Sequence, residues 1–152
     1  MKTSVLILCT GNSARSQMFE GLLRAEAGDR LEVESAGVKP SQLRPEAVAV
    51  LQELGIDIQH QRSKHVDEFR GRSFDIVLTV CDQARQECPV FPGATRVIHH
   101  SFPDPAAVQG SEEERLRAFR QVRDQIRSYL PEFLRLALDA KPPATDSQRS
   151  QE

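Results

Sequence analysis

"VLILCTGNSARSQM", Val5 to Met18, is the stretch that decides how this chain folds. Four successive apolar residues, Val5-Leu6-Ile7-Leu8, suit a strand buried on both faces rather than one that alternates with solvent. A thiol, Cys9, closes the run, and the small residues Thr10 to Ala14 separate it from Arg15. Beyond them Met18, Leu22, Leu23 and Ala25–Ala27 recur at helical spacing. Buried strand, tight turn and helix, in that order, are the first half of a parallel crossover.

The pattern continues outward from there. Leu31 to Ser35 alternates as a second strand that ends at Gly37. Pro45 opens a helix carrying Ala47, Val48, Val50, Leu51 and Leu54, and Gly55 is its natural stop. Phe74 to Val80 reads as a third strand and Arg96 to Ile98 as a short fourth. Ser111 and Glu114 form a capping box, a hydroxyl serving one free amide while the glutamate reaches back to another. The helix behind it has Leu116, Phe119, Val122, Ile126 and Leu130 as its apolar stripe, and Pro131 is expected to kink or interrupt it. Together these elements predict an α/β fold: a doubly wound, four-stranded parallel sheet with helices on both faces. No repeat or linker divides the chain, so residues 1–140 are expected to form a single catalytic domain. The tail 141–152, "KPPATDSQRSQE", has only Ala144 as an apolar residue and is expected to be disordered.

Charge and composition exclude several functions. A net charge of −2 over 152 residues provides no global basic field for nucleic acid or anionic membrane. No apolar stretch approaches the roughly 20 residues of a spanning helix, and the run after Met1-Lys2-Thr3 is too short for a signal-peptide core. A cytoplasmic, monomeric protein is the expectation. Its three cysteines, Cys9, Cys81 and Cys88, are an odd number, which argues against a static disulfide framework.

The loop after the first strand has the makings of an anion site. Gly11 and Asn12 tolerate left-handed dihedrals, which lets successive amides curl into a concave nest. The helix adds its free N-terminal amides, and Arg15 adds a planar fork that grips two oxygens. Thr10, Gly11, Asn12, Ser13, Ala14, Arg15 and Ser16 are therefore the candidate oxyanion-binding residues. Cys9 faces the same field, which favours its thiolate, and Ser16 is placed to donate a hydrogen bond to the sulfur. A buried, inert cysteine before an ordinary turn is the plainer alternative. The coincidence of thiol, glycine turn, arginine and strand-to-helix setting outweighs it.

"CTGNSARS" resembles the phosphate-binding loop of low-molecular-weight protein tyrosine phosphatases and of the arsenate reductases that share their fold. The resemblance implies Cys9 as nucleophile, Arg15 as oxyanion clamp and Asn12 as the residue that shapes the loop. Many relatives carry a second cysteine where this chain has Ala14.

The other two thiols separate the two branches. A phosphatase has no use for Cys81 or Cys88, whereas "TVCDQARQECPVFPG", Thr79 to Gly93, resembles the thioredoxin-coupled arsenate reductases. That resemblance implies a relay. Cys9 attacks arsenate, Cys81 attacks the Cys9 sulfur so that arsenite departs, and Cys88 then takes the disulfide outward for thioredoxin to reduce. On a straight helix Cys81 and Cys88 would be about 10 Å apart along the axis. A disulfide needs Cα atoms within roughly 7 Å. The segment Asp82 to Glu87 is thus expected to unwind on oxidation. A core thiol at Cys81 with an incidental Cys88 is one alternative; zinc with His99 or His100 is another, though structural zinc sites space cysteines more closely.

Asp104 lies between two prolines in "HHSFPDPAA", a rigid loop that can hold a carboxyl over the site or simply turn at the surface. The resemblance implies that it is the general acid. Only one tyrosine is present, Tyr129, so no platform for phosphotyrosine is evident. Glu20 and Ser35 match positions that hold a monovalent cation with Asn12 in some related reductases; Lys64 stands roughly where those relatives have a further carboxylate, and its ammonium could replace the cation. No metal or other cofactor is therefore expected. From the residues alone, Glu20 and Ser35 read as surface or turn positions, and His60, His65, His99 and His100 as solvated or hydrogen-bonded. The reading is an arsenate reductase recycled by thioredoxin; the rivals are a phosphatase of phosphotyrosine or small phosphoesters and a non-enzymatic oxyanion or redox sensor.

Overall fold

Every residue from Val5 to Cys9 is buried, although successive side chains of a strand point to opposite faces. The first strand therefore lies inside a sheet covered on both sides. The computed structural model describes residues 2–88 and 95–138. In it β1 (Thr3–Cys9), β2 (Leu31–Gly37), β3 (Ile76–Thr79) and β4 (Arg96–His99) form one four-stranded sheet in the order β2-β1-β3-β4. All three pairings are parallel, as the alternation of strands and helices predicts. The helices are α1 (Arg15–Ala27), α2 (Pro45–Gln52), α3 (Asp82–Gln86) and α4 (Glu112–Leu138). The expected C-terminal tail lies outside the described residues.

This strand order positions the site. After β1 the chain moves to one side, to β2; it then crosses back to place β3 on the other side of β1. The connections that leave β1 and β3 diverge, which makes the carboxyl ends of these two strands the place where open parallel sheets bind ligands. Cys9 is the last residue of β1, and Cys81 follows β3 by two residues.

The core is aromatic where α1 meets α4. Phe19 is fully buried and packs edge-on against Phe133, with ring centroids 5.7 Å apart, and against Phe102 and Tyr129. Truncating such a side chain to alanine costs about 3–5 kcal/mol. Because Phe102 belongs to the segment before Asp104, the same cluster anchors that loop.

The elements differ from expectation in places with clear causes. β3 is shorter than Phe74–Val80: Phe74 turns away to pack on Phe69, and the Asp75 carboxylate takes the Ser4 amide. α2 ends at Gln52, and Gly55, at φ 77°, closes it with the Ile56 amide donating back to the Leu51 carbonyl. Ala25 is exposed, so the buried side of α1 is Met18, Phe19, Leu22, Leu23 and Ala27. Pro131 does not interrupt α4, which runs on to Leu138. The proline is exposed, so the carbonyl it leaves unpaired can take water, while buried Leu130, Phe133 and Ala137 hold the second half of the helix down. The capping box forms as read: Ser111 Oγ accepts from the Glu114 amide, and Glu114 Oε1 accepts from the Ser111 amide.

Candidate active site

The left-handed turn needed by the loop falls on Asn12, at φ 48°, and not on Gly11. Asparagine tolerates that region better than most residues, and here its side chain repays the strain. Asn12 is fully buried. Its Nδ2 donates to Ser16 Oγ at 2.7 Å and to Ser35 Oγ at 2.9 Å, while Oδ1 accepts from the Lys64 amide at 2.8 Å and from Gln17 Nε2. The amide group is thus saturated and cannot flip.

These bonds run outward from the Asn12 amide. Glu20, only 3% exposed, accepts the Ser35 hydroxyl at 2.6 Å, so Ser35 must receive rather than donate towards Asn12. Asn12 in turn donates to Ser16, which leaves the Ser16 hydroxyl proton for Cys9 Sγ at 3.2 Å. The Asn12 amide, oriented by the Lys64 amide at Oδ1, therefore donates at both ends, through Ser35 to a buried carboxylate and through Ser16 to the first thiol. Glu20 and Ser35 are not the surface residues their local sequence suggests. Arg24, one turn along α1, pairs with the second Glu20 oxygen at 2.8 Å, whereas the Lys64 ammonium donates to the Arg62 carbonyl. The carboxylate already has its countercharge, so these residues do not require a bound cation, and among the described residues no cluster of three His, Cys, Asp or Glu is arranged for a metal ion.

The backbone of the loop is fixed from the neighbouring segment. Val38, Lys39, Ser41 and Arg44 amides donate to the carbonyls of Cys9, Thr10, Gly11 and Ser13. With the carbonyls turned outward to these partners, the loop amides remain available to an anion. No acidic side chain occupies the first turn of α1. Arg15 Nη1 donates to the Phe102 carbonyl at 3.1 Å, and Nη2 stands 3.8 Å from Asp104 Oδ2. The other Asp104 oxygen accepts from the Ala106 amide, which holds the carboxyl in place at the start of the Pro105–Ala107 turn.

Cys81 comes to the same place from β3. Its sulfur lies 3.1 Å from Thr10 Oγ1, in the loop itself, and accepts from the Ala84 amide at 3.4 Å. Cys9 and Cys81 are both buried. Cys88 is half-buried at the far end of the α3 segment, and burial pushes its thiol above the ordinary range. The loop after β1, an arginine, a carboxyl and a second thiol are therefore gathered at the carboxyl ends of β1 and β3.

Residues 4–144 match the family described as low molecular weight phosphotyrosine protein phosphatase. The chain belongs to that family. Within it, the arsenate reductase of Bacillus subtilis (strain 168) is 43% identical over 129 residues, which span 85% of this chain and 93% of that protein. A solved structure described as an arsenate reductase in oxidized state superposes with a TM-score of 0.70 at 30% identity, covering 87% of this chain and 95% of the other. The thioredoxin-dependent arsenate reductase Cg_ArsC1' of Corynebacterium glutamicum superposes with a TM-score of 0.62 at 27% identity over 86% of this chain and 61% of that one.

Some supports of this phosphatase-family loop escaped the sequence reading. A Cβ on Gly37 would lie 2.5 Å from the Thr10 carbonyl oxygen and 2.9 Å from the Asn12 amide nitrogen, so only glycine lets the loop cross the end of β2. Ser63 Oγ donates to the Gly11 carbonyl, and Gln17 Nε2 donates to the carbonyls of Asn12 and Arg62. The glycine at a strand end was the one available signal; the others are polar residues with no local pattern. Three of the four histidines have neighbours of their own: His65 accepts from the Asp67 amide, His100 stacks on Tyr129 at 3.8 Å, and His99 bridges Thr79 and Asp82, while His60 is exposed.

Proposed function

We propose that this protein is an arsenate reductase working through a three-thiol relay that thioredoxin recycles. One observation carries the reading: Cys81 Sγ sits 3.1 Å from a hydroxyl of the loop that begins at Cys9, so the second thiol faces the first site. A phosphate-ester hydrolase needs nucleophile, arginine and acid, and has no part for this sulfur. The names of the relatives, including one thioredoxin-dependent enzyme, point the same way.

The loop amides and Arg15 bind arsenate. The Cys9 thiolate attacks arsenic and a hydroxyl leaves as water, protonated by Asp104, giving a Cys9–arsenate adduct. The Cys81 thiolate then attacks Cys9 Sγ. An S–S bond forms, the S–As bond breaks, and its electron pair stays on arsenic, which falls from As(V) to As(III) and leaves as arsenite. The Cys88 thiolate attacks Cys81 Sγ and expels the Cys9 thiolate, which restores the nucleophile. A thioredoxin dithiol finally supplies two electrons and two protons to the Cys81–Cys88 disulfide. Phosphate esters would stop at the first step, with water releasing the phosphoryl group; a side activity on small phosphoesters follows, whereas Tyr129 is buried and offers no wall for a phosphotyrosine ring.

The test is arsenate-dependent NADPH consumption with thioredoxin and its reductase, run beside glutaredoxin with glutathione. Turnover with the first pair and loss of arsenite release in Cys81→Ser are expected. Undiminished arsenite release from Cys81→Ser would overturn the relay, and turnover only with the second pair would overturn the partner.

A further inference from the structure

The relay makes two demands on the chain after β3. Cys81 must stay beside the loop while Cys88, seven residues on, travels to it. Helical geometry puts the two about 10 Å apart along an axis, and a disulfide needs Cα atoms within roughly 7 Å, so the turn between them has to open. If it opened from its first residue, Cys81 would leave its place.

His99 stands where that beginning can be held. It is the last residue of β4 and pairs across the ladder with Thr79, the last residue of β3. Its Nδ1 lies 2.8 Å from Thr79 Oγ1, and its Nε2 lies 3.2 Å from Asp82 Oδ1. Thr79 is fully buried and the His99 side chain is 21% exposed, so the ring is fixed by the sheet, while Asp82 is 79% exposed. The protons fit a single tautomer: the Thr79 hydroxyl donates to Nδ1, and Nε2–H donates to the carboxylate. Asp82 is the first residue of α3 and follows Cys81 directly. Beyond it, Ala84 is buried, but Arg85, Gln86 and Glu87 are exposed.

We propose that His99 is a positioning residue for the second thiol, pinning Asp82 so that Cys81 stays at the loop while the remainder of α3 opens to bring in Cys88. The proposal rests on the relay reading. His99 touches neither arsenate nor a sulfur; it acts on the exchange in which the Cys81 thiolate forms a bond to Cys9 Sγ and the S–As pair departs with arsenic.

The experiment is a single turnover of the fully reduced protein over a range of arsenate concentrations, with arsenite measured and disulfides trapped and mapped by mass. Absence of a Cys81–Cys88 disulfide in the wild type would remove the relay itself, and this proposal with it. With that disulfide present, His99→Ala is expected to slow arsenite release at saturating arsenate about threefold to fivefold, the scale of one exposed charged contact, with half-saturation unchanged. His99→Gln, whose amide can reach the same carboxylate, should return to within about twofold of wild type. Asp82→Ala, at an exposed position that the fold tolerates, should reproduce the His99→Ala loss, and the double variant should be no slower than either single one. Wild-type release from Asp82→Ala, additive losses in the double variant, or a glutamine variant as slow as alanine would each overturn it.

Discussion

Two segments of this molecule begin alike: a buried strand ends, a thiol follows and a helix starts. After β1, the run from Thr10 to Ser16 is tied down by carbonyls capped from 38–44 and by a saturated asparagine at its centre. After β3, α3 has only five residues and leans on Thr10 and His99 at its first turn, with exposed residues beyond. In the proposed function the first segment presents fixed donors to a tetrahedral anion, and preorganised donors need no rearrangement when charge arrives. In the proposed relay the second delivers a sulfur from a distance. Under that proposal the same local plan serves opposite ends because, among the described residues, more hydrogen bonds tie down the first copy than the exposed end of the second.

The contrast breaks most visibly under side-chain deletion. Arg15→Ala should lower the arsenite rate by about 10²–10³-fold, the loss typical of one preorganised donor, while Gln86→Ala in the loose segment stays within about twofold. A steady-state assay of the two variants side by side checks this. Comparable losses would mean the second segment is as finely set as the first.

Next comes the close approach beneath the rigid loop. Gly37→Ala should destabilise the protein by about 1–3 kcal/mol in urea denaturation, because the new methyl meets backbone that is held on several sides. Inorganic phosphate should also protect this variant less than wild type, since the displaced loop binds anions more weakly.

The outer thiol answers pH in a definite direction. Burial raises Cys88, so at neutral pH its protonated form dominates and its thiolate fraction climbs about tenfold per unit until the raised value is passed. Alkylation of Cys88 by iodoacetamide, followed by mass spectrometry, should therefore keep accelerating beyond the ordinary thiol range. A plateau at or below that range would show that the outer thiol is as ready as a solvated one.

The smallest effect lies far from both segments. Ser111→Ala should cost about 1 kcal/mol through loss of the cap, read by thermal denaturation, and leave arsenite release unchanged.

Much of this was legible in the chain. Val5 to Leu8 announces a buried parallel strand because an unbroken apolar run has few other uses at that length, and Ser111-x-x-Glu114 announces a helix start. Pro131 was read as a kink or an interruption because its cost is local and visible, while the continuation of the helix is supported by buried Leu130 and Phe133 packing at a distance. The places of Cys9 at the end of β1 and Arg15 at the start of α1 were legible from spacing. Glu20 and Ser35 were not: a carboxylate in a helix and a serine in a strand look solvated until the sheet closes over both. The bridge from His99 to Asp82 spans seventeen residues and depends on strand pairing, which leaves no periodic trace.

The strand order described above has a consequence for how such a protein could arise. Neighbouring exits from β1 and β3 come with the topology itself, whether or not a sulfur occupies either of them. An ancestor that cleaved esters with one thiol would already have held the residue after β3 within reach of it. Under the proposed relay, gaining electron transfer would then require new side chains at two positions, with no change in the strand order.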